Sequence, residues 1–290
     1  MIWVDAVLQG VLAGGLFALF ACGLSLMFGV MRVVNLAHGD FAVLAAFLAY
    51  SLISASGLNL LWAAAATVPV FAVFGYGVQR GLLNRAMATG PLPPLLATFG
   101  LSVLIQNSLL QGYTADSRSL SPGRIGTASL RLSGQISLSY LELLILGLAV
   151  LVLGGLELYL SRNRTGRMLR AASDDPQAAG LVGGDPRHLY GIATALAFGT
   201  LAMAGLLFAA RSSVSPSSGP SELLYGFEAV VIGGLGSLWG TLLGGVALGI
   251  AQNVAGQWNP AYTQLAGHLL FLLVLILRPE GLLPRRSVAA

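Results

Sequence analysis

One polar segment interrupts a long apolar stretch near the start of the chain and carries the side chains best suited to chemistry. The nine residues from Arg32 onward contain an amide, an imidazole and a carboxylate, on Asn35, His38 and Asp40. In a helix, Asn35 and His38 would share one face, with Asp40 well round from it. Gly39 permits a break at which backbone groups face a cavity. Ionisable residues at membrane depth usually line a pathway or pair with each other, whereas an interfacial loop with a helix cap would explain the same residues equally well.

The remaining reactive residues match no common catalytic or metal-binding pattern. The three histidines, His38, His188 and His268, have no HExxH or similar spacing, and the single cysteine, Cys22, is interpreted as a small buried hydrophobe. No GxSxG elbow is present. All 15 basic residues are arginine, so the chain lacks the lysine of a P-loop. We therefore expect no catalytic residue, metal or cofactor on this chain, and any ATP must be hydrolysed by another chain.

The composition predicts a membrane protein. Only 9% of the 290 residues are charged, whereas soluble domains carry about 25%. The hydrophobic set makes up 56%, and the mean hydropathy is +0.81. A soluble domain would have too little polar material to cover its surface. This excludes a soluble enzyme, a disordered chain and a nucleic-acid-binding protein, and membrane lipid is the expected surrounding.

Uncharged intervals predict eight or nine membrane-spanning helices, because a span needs about 20 mostly apolar residues. The interval 41–79 is long enough for two helices with a turn at 54–59. The last interval divides near 256–260, and a ninth span depends on whether 227–236 crosses by itself. The expected spans lie in 6–31, 41–79, 92–112, 138–160, 188–210 and 229–277, and 138–160 carries Glu142 near its outer end. The expected fold class is all-α and polytopic, with about eight to ten transmembrane helices.

Arginine placement predicts the orientation, because short arginine-rich loops stay in the cytoplasm. Arg80 and Arg85 are placed in one such loop, and residues 161–187 form another. With the C-terminus and Arg32, these regions put 11 of the 15 arginines on one side. The C-terminus is then cytoplasmic, the polar segment 113–137 is periplasmic, and the N-terminus is outside.

The arginine-rich loop 161–187 contains the signals of a short helix. Asp175 suits the N-cap, the proline after it suits the first helical position, and Gly183 or Gly184 suits the C-terminal cap. These signals predict about two turns of helix over 176–182. Such an element is suited to dock against a soluble partner, although a positively charged surface loop would explain the arginines as well.

Glycine spacing in the later apolar region predicts close helix packing. Gly236, Gly240 and Gly244 recur every fourth residue, and Gly245 with Gly249 adds a neighbouring pair. Small residues on one helical face let two backbones approach each other in a membrane. The alternative is a generic glycine-rich span.

The two halves of the chain also resemble each other weakly. A polar break follows a long apolar helix at 35–40 and again at 212–222, and another apolar run follows each break. Internal repeats of this kind are common in transporters.

Four stretches resemble the H-type permease subunit of branched-chain amino acid ABC importers. Asn-Leu-Ala-His-Gly-Asp, within 29–41, is similar to the family signature Asn-Phe-Ala-His-Gly-Glu. The stretches 166–183, 231–245 and 278–285 are similar to its coupling loop, its glycine-rich later helices and its C-terminal end. The matches occur in the family's order and run over nearly the whole chain.

The resemblance implies one transmembrane permease domain over residues 1–290, with discontinuous helices, in a bacterial inner membrane. It implies three kinds of partner: a second, M-type permease, two ATPase subunits that use ATP, and an extracytoplasmic substrate-binding protein. The implied function is import of branched-chain or other aliphatic amino acids by alternating access. Leu36 and Asp40 stand where phenylalanine and glutamate are common, which leaves an ABC permease for urea or short amides open. An ion-coupled secondary transporter and a membrane-embedded enzyme are further alternatives.

The candidate site residues fall into three groups. The candidates for the translocation pathway are Asn35, His38, Gly39 and Asp40. The candidates for coupling to the ATPases are Gly166, Arg167, Arg170, Asp174, Asp175, Ala178, Gly180 and Gly183. The candidates for helix packing are Gly236, Gly240 and Gly244.

Overall fold

The computed structural model describes residues 2–133, 136–181 and 183–283 and is mainly α-helical. In chain order the helices are α1 (Ile2–Met31), α2 (His38–Ser56), α3 (Leu60–Val78), α4 (Asn84–Met87), α5 (Leu92–Tyr113), α6 (Arg124–Thr127), α7 (Tyr140–Arg162), α8 (Arg164–Asp174), α9 (Pro176–Leu181), α10 (Pro186–Arg211), α11 (Gly219–Gly233), α12 (Leu238–Trp258) and α13 (Tyr262–Leu277). A π-helical turn (Gln79–Leu83) joins α3 to α4. The strands β1 (Ser129–Ser133) and β2 (Ile136–Ser139) form an antiparallel hairpin.

Seven helical stretches among the described residues are long and apolar enough to cross a membrane. The apolar helix α13 is shorter, with 16 residues, and brings the total to eight, the lower of the two numbers predicted. The helix α11 has 15 residues and carries Glu222 and Glu228, so it is not among these apolar helices. The run 227–236 therefore does not cross by itself.

The continuous helix from Leu60 to Met87 corrects one sequence expectation. Arg80 and Arg85, which were expected in a loop, lie on the π-helical turn and on α4. The π-helical turn keeps the backbone hydrogen-bonded, so the helix continues past its apolar part.

Helix α1 is the centre of the bundle. In its most apolar window 89% of the residues are buried, and α12 packs along its length. The approach is close because glycines face each other: a Cβ added to Gly14 would lie 2.5 Å from the Cα atom of Val246. Gly245 and Gly249 of α12 face α1 in return, and a Cβ on Gly249 would lie 2.2 Å from the carbonyl oxygen of Gly10. Backbone contact of this kind is how helices associate without a hydrophobic drive between them.

The three glycines predicted to share a helical face do not all lie on a helix. Gly240 and Gly244 lie on α12 and face α11: their added Cβ atoms would lie 2.3 Å and 2.0 Å from the carbonyl oxygens of Gly233 and Ala229. Gly236 lies in the loop before α12, with a φ of 80°. The four-residue spacing therefore predicted a shared face wrongly for Gly236, because the chain turns there.

The bundle has two ends, which we name by the elements found there. At the α8 end, Arg80 lies 3.7 Å from the carboxylate of Asp185, which caps the start of α10. At the hairpin end, the Trp3 and Trp258 rings lie 5.7 Å apart, edge to face.

The polar segment 113–137 is partly ordered in regular structure, which the sequence did not predict. It contains α6, β1 and the start of β2, so the all-α expectation holds apart from this small hairpin. The expected helix end at Val182 and the C-terminal arginines Arg285 and Arg286 lie outside the described residues.

Candidate functional site

The first break in the helical bundle follows Met31, where α1 ends. Arg32 has a φ of 54°, a left-handed conformation that is uncommon for a residue other than glycine. The two valines that follow are β-branched and favour extended backbone. Inside the bundle the amide of Leu36 donates to the Thr98 hydroxyl of α5 over 3.1 Å. This hydrogen bond satisfies one of the backbone donors that the helix break leaves without a helical partner.

Asn35 organises the turn into α2. Its side-chain oxygen accepts a hydrogen bond from the amide of Ala37 over 3.0 Å, and its carbonyl oxygen accepts one from the amide of His38 over 3.1 Å. Helix α2 then begins at His38. Asn35 and His38 are therefore not neighbours on one helical face, as the helical alternative assumed, because Asn35 lies before the helix.

His38 lies deep inside the bundle. Its Nε2 atom is 3.0 Å from the carbonyl oxygen of Phe20, eleven residues before the end of α1. A carbonyl oxygen only accepts, so Nε2 carries the hydrogen of this bond. The imidazole fits because residue 23 is glycine: a Cβ there would lie 2.7 Å from His38 Cε1 and 2.9 Å from the carbonyl oxygen of Ala197 in α10. Helix α2 therefore starts between the middle parts of α1 and α10.

A second break follows Arg211, where α10 ends. The chain pairs briefly with a neighbouring loop, through reciprocal backbone hydrogen bonds between Arg118 and Val214 of 2.9 Å and 2.8 Å. Ser215 and Ser218 form a turn in which the Ser218 hydroxyl accepts from the amide of Ser215. Helix α11 then begins at Gly219.

The starts of α2 and α11 meet each other inside the bundle. A Cβ added to Gly39 would lie 1.9 Å from the carbonyl oxygen of Gly219 and 2.9 Å from the amide nitrogen of Leu223. Only two facing glycines allow this approach, since any side chain would push the helices apart. Both helix N-termini, with their partly positive ends, thus lie at one point of the bundle.

The carboxylate of Asp40 lies at this meeting point. A Cβ on Gly219 would be 2.0 Å from its Oδ1 atom, and the residue is 1% exposed. Neither carboxylate oxygen has a geometrically defined hydrogen bond among the described residues. The side chains of Ser102 and Gln106 in α5 face it, and Gln106 Nε2 donates to the Ser102 hydroxyl over 3.1 Å. The positive ends of two helix dipoles lie next to this carboxylate.

The structure brings the four pathway candidates together at the start of α2. Asn35 shapes the turn, Gly39 permits the contact with α11, and the polar side chains of His38 and Asp40 are buried. Gly219 belongs to the same site and was missed by sequence reasoning. The sequence signal for Gly219 was the second polar break, at 212–222, because this break resembles the first one at 35–40.

A second polar group lies between α11 and α13 and was also missed. Buried Glu228 accepts a hydrogen bond from Nδ1 of His268, and the Tyr225 ring stacks on the imidazole at 6.4 Å and 12°. Gln264, one helical turn before His268, interacts with Tyr225. The sequence signal for this group was a carboxylate and an imidazole within apolar runs. It was missed because the last uncharged interval begins directly after Glu228, which left the carboxylate outside the expected span.

Helix α8, which the sequence did not predict, lies between α7 and the loop helix. It buries Gly166, Leu169 and Ala172 along one side. Gly166 is required there because an added Cβ would lie 2.5 Å from the Tyr159 carbonyl oxygen. The coupling candidates Arg167 and Arg170 lie on α8: Arg167 donates to the carbonyl oxygen of Arg162, and Arg170 forms a 2.8 Å ion pair with Glu157.

The loop helix α9 has the caps that its sequence predicted. The Asp175 carboxylate accepts from the amides of Gln177 and Ala178 over 2.8 Å and 3.1 Å. At the other end Gly183 has a φ of 85°, and its amide donates to the carbonyl oxygen of Gly180 over 3.1 Å. Asp175, Ala178 and Gly180 are exposed, so this surface is available to another molecule.

A cleft of about 480 Å³ opens at the α8 end between α1, α7, α8 and the loop before α12. Charged side chains of both signs line it, on Arg32, Glu157, Arg170 and Asp174. Neither His38 nor Asp40 is among its lining residues. The cleft is thus separate from the buried side chains of His38 and Asp40 at the start of α2.

The chain matches known proteins over nearly its full length. The family model "Branched-chain amino acid transport system / permease component" matches residues 6–277. The high-affinity branched-chain amino acid transport system permease protein BraD of Pseudomonas aeruginosa is 29% identical over 299 residues, which cover 99% of this chain and 97% of the relative. LivH of Escherichia coli (strain K12), which carries the same description, is 25% identical over 301 residues, again 99% of this chain and 97% of the relative.

A shorter match connects the chain to a second kind of permease. LivM of Escherichia coli (strain K12), also described as a high-affinity branched-chain amino acid transport system permease protein, is 34% identical over 127 residues, 43% of this chain and 30% of the relative. No solved structure matches the chain. The polytopic helical bundle and the match over residues 6–277 agree: this chain belongs to the family of permease components of branched-chain amino acid transport systems.

Proposed function

We propose that this chain is the permease subunit of an ABC importer that moves branched-chain or other aliphatic amino acids across a bacterial inner membrane by alternating access. The observation that carries the proposal is the meeting of α2 and α11 at Gly39 and Gly219. Discontinuous helices whose N-termini meet at membrane depth are typical of transporter pathways. The full-length similarity to BraD and LivH supports the substrate class.

The proposed assembly contains four further subunits or proteins besides this chain. They are an M-type permease, two ATPase subunits and an extracytoplasmic binding protein. The similarity to LivM supports a pair of related permeases. The absence of lysine from the sequence supports ATP hydrolysis on other chains, since a P-loop requires it.

We assign the α8 end to the cytoplasm and the hairpin end to the periplasm. The assignment rests on the arginine count, since arginine-rich short loops remain in the cytoplasm. The helix α13 runs toward the α8 end, where the amide of Leu283 donates to the carbonyl oxygen of Gly233 over 2.9 Å. The C-terminus is then cytoplasmic, and residues 1–290 form one permease domain.

In the proposed mechanism the α2–α11 contact is the closed point of the pathway. Asn35, His38, Gly39 and Asp40 surround it, and the contact depends on two glycines rather than interlocking side chains. ATP-driven closure of the ATPases presses on α9. The resulting rigid-body movement separates α2 and α11, the two half-helices that begin inside the bundle, and opens the pathway to the other side of the membrane. The exposed Leu181 on α9, 91% exposed, offers an apolar contact for an ATPase groove.

The decisive experiment is reconstitution of the full complex in liposomes. We expect ATP inside the liposomes and loaded binding protein outside to drive leucine uptake. Uptake of urea or acetamide, but not leucine, would favour the amide permease. Uptake by this chain alone under a proton or sodium gradient would favour a secondary transporter, and chemical turnover by the chain alone would favour an enzyme.

Coupling is tested at α9 with Asp175→Arg combined with Gly180→Trp. The first change removes the cap and reverses a charge, and the second adds a bulky side chain where an added Cβ contacts no described residue within 4 Å. We expect assembly with the ATPases and transport to fall while the transmembrane bundle stays folded. Unchanged assembly and transport would refute the coupling role of α9.

A further inference from the structure

The pair Glu228–His268 contains a buried acceptor that the structure leaves unused. Glu228 is 1% exposed, and its Oε1 atom accepts from Nδ1 of His268. The other carboxylate oxygen, Oε2, has no hydrogen-bond partner among the residues described. A buried carboxylate oxygen without a partner is costly unless a ligand or water satisfies it.

The pair lies well inside the membrane-spanning part of the bundle. The next residue, Ala229, packs its carbonyl oxygen against Gly244 of α12, and Gly267, beside His268, packs against Leu248. Both contact points lie within α12 (Leu238–Trp258), one of the seven helices long and apolar enough to cross a membrane. Ionisable residues at this depth face a partner, a bundle interior or water, since lipid disfavours them.

The imidazole nevertheless reaches the outside of this chain. The His268 side chain is 38% exposed, and its neighbours Leu265 and Leu269 on α13 are about half exposed. Tyr225 and Gln264 extend the polar group along the same surface. We call these four polar residues, Tyr225, Glu228, Gln264 and His268, the α11–α13 seam.

The hydrogen-bonding capacity of the seam points to a particular ligand chemistry. A carboxylate oxygen accepts from Nδ1–H, so the Nε2 atom of a neutral His268 is an acceptor. Glu228 Oε2 is a second acceptor, with a negative charge when ionised. Two acceptors, one on each residue of the pair, fit a ligand that presents N–H donors, such as an ammonium group or an amide.

We propose that the α11–α13 seam is a recognition site for the N–H donors of the permeant molecule. This inference rests on the proposed transport function and adds a site to it. The seam shares α11 with Gly219, so movement of that half-helix at its contact with α2 also moves Tyr225 and Glu228. The ligand is either the ammonium group of an amino acid or the amide of urea or a short amide.

The test compares Glu228→Gln with Glu142→Gln in the reconstituted complex. Glu228→Gln keeps the side-chain shape but loses the charge, whereas Glu142 pairs with Arg211 over 3.0 Å and is remote from the seam. With loaded binding protein at saturation we expect Glu228→Gln to lower uptake about tenfold, with ATPase activity within about twofold of wild type. Glu228→Asp should restore part of the uptake, and the control should change neither.

Parallel assays with leucine and with urea identify the donor. A loss with leucine assigns an ammonium ligand, and a loss with urea assigns an amide. Uptake by Glu228→Gln within about twofold of wild type for the transported molecule overturns the inference alone. A wild-type complex that transports neither molecule would instead refute the proposed function.

A cysteine probe decides the question if Glu228→Gln does not assemble. His268→Cys should react with a water-soluble thiosulfonate, because a recognition site for the permeant molecule must face water rather than lipid. The matched control is Leu269→Cys, which is 55% exposed but on an apolar surface, and buried Cys22 serves as the background. Equal or absent labelling at the two positions would overturn the inference, because the seam would then face lipid or be sealed.

Discussion

Helices α1 and α7 are almost equally apolar and yet occupy opposite environments. Their most apolar windows have mean hydropathies of 2.2 and 2.4, but 89% of the first window is buried and only 22% of the second. In a soluble protein the more apolar helix would be expected inside. In a membrane the lipid is as apolar as a leucine, so hydropathy decides only that a helix crosses.

What separates the two helices is the surroundings of their glycines. Gly10, Gly14 and Gly15 of α1 each face another helix backbone so closely that an added Cβ would overlap it. In α7, an added Cβ on Gly147 or Gly155 has no atom of the described residues within 4 Å. The same residue type therefore marks a helix contact in one region and an open surface in the other.

The largest expected effect comes from a large side chain at an α1 glycine. Gly14→Leu would place atoms into the backbone of Val246, and we expect it to reduce stability by at least about 3 kcal/mol and to lower the folded yield. Gly147→Leu should change stability by less than about 0.5 kcal/mol. Thermal unfolding and monodispersity in detergent would check both; equal loss would contradict the comparison.

The difference between packed and open positions should also appear within α7, because only one side of this helix faces the bundle. Leu153 is fully buried, whereas Leu151 is 68% exposed. We expect Leu153→Ala to destabilise the protein by about 2–4 kcal/mol through a cavity, and Leu151→Ala to have little effect. The same melting curves measure this difference, and a larger effect at Leu151 would show that α7 is turned the other way.

An intermediate effect is expected at the meeting of the half-helices. Gly39→Ala would push a methyl group into the carbonyl oxygen of Gly219, with a cost of about 1–3 kcal/mol and a larger loss of transport. The matched control is Gly100→Ala on α5, where the part of the chain that the structure describes has no atom within 4 Å of an added Cβ. Uptake and melting temperature should be measured together. If Gly39→Ala transports as well as Gly100→Ala does, the contact between Gly39 and Gly219 has no role in the pathway.

The smallest expected effect concerns the ion pair between α7 and α10. Glu142→Gln removes the 3.0 Å contact with Arg211, whose side chain is 30% exposed. A partly exposed pair of this kind contributes about 0.2–1 kcal/mol and is weakened by salt. The melting temperature should fall slightly at low salt, and the difference should shrink at high salt. A large decrease in melting temperature at both salt concentrations would contradict this prediction and would mean that the position of α7 depends on polar contacts.

Several local features were predictable because they depend on near neighbours in the chain. The caps of α9 follow from Asp175 and Gly183, whose hydrogen bonds reach only two or three residues. The breaks near Asn35 and after Arg211 were visible as polar interruptions. Helix α8 was missed because its arginine-rich sequence was interpreted as a loop, and Gly236 was misplaced because a spacing of four does not show where a helix starts.

The sequence by itself determined that the chain crosses a membrane, where its spans lie and where helices break. These properties depend on apolar length and on local hydrogen bonding, which each segment carries in its own residues. The tertiary structure decided which apolar helix is central, that Gly39 meets Gly219, and that Glu228 pairs with His268 forty residues later. These contacts join distant segments whose helical faces are almost equally apolar. Close backbone packing at the glycines and the side-chain hydrogen bond therefore select them, and hydropathy does not.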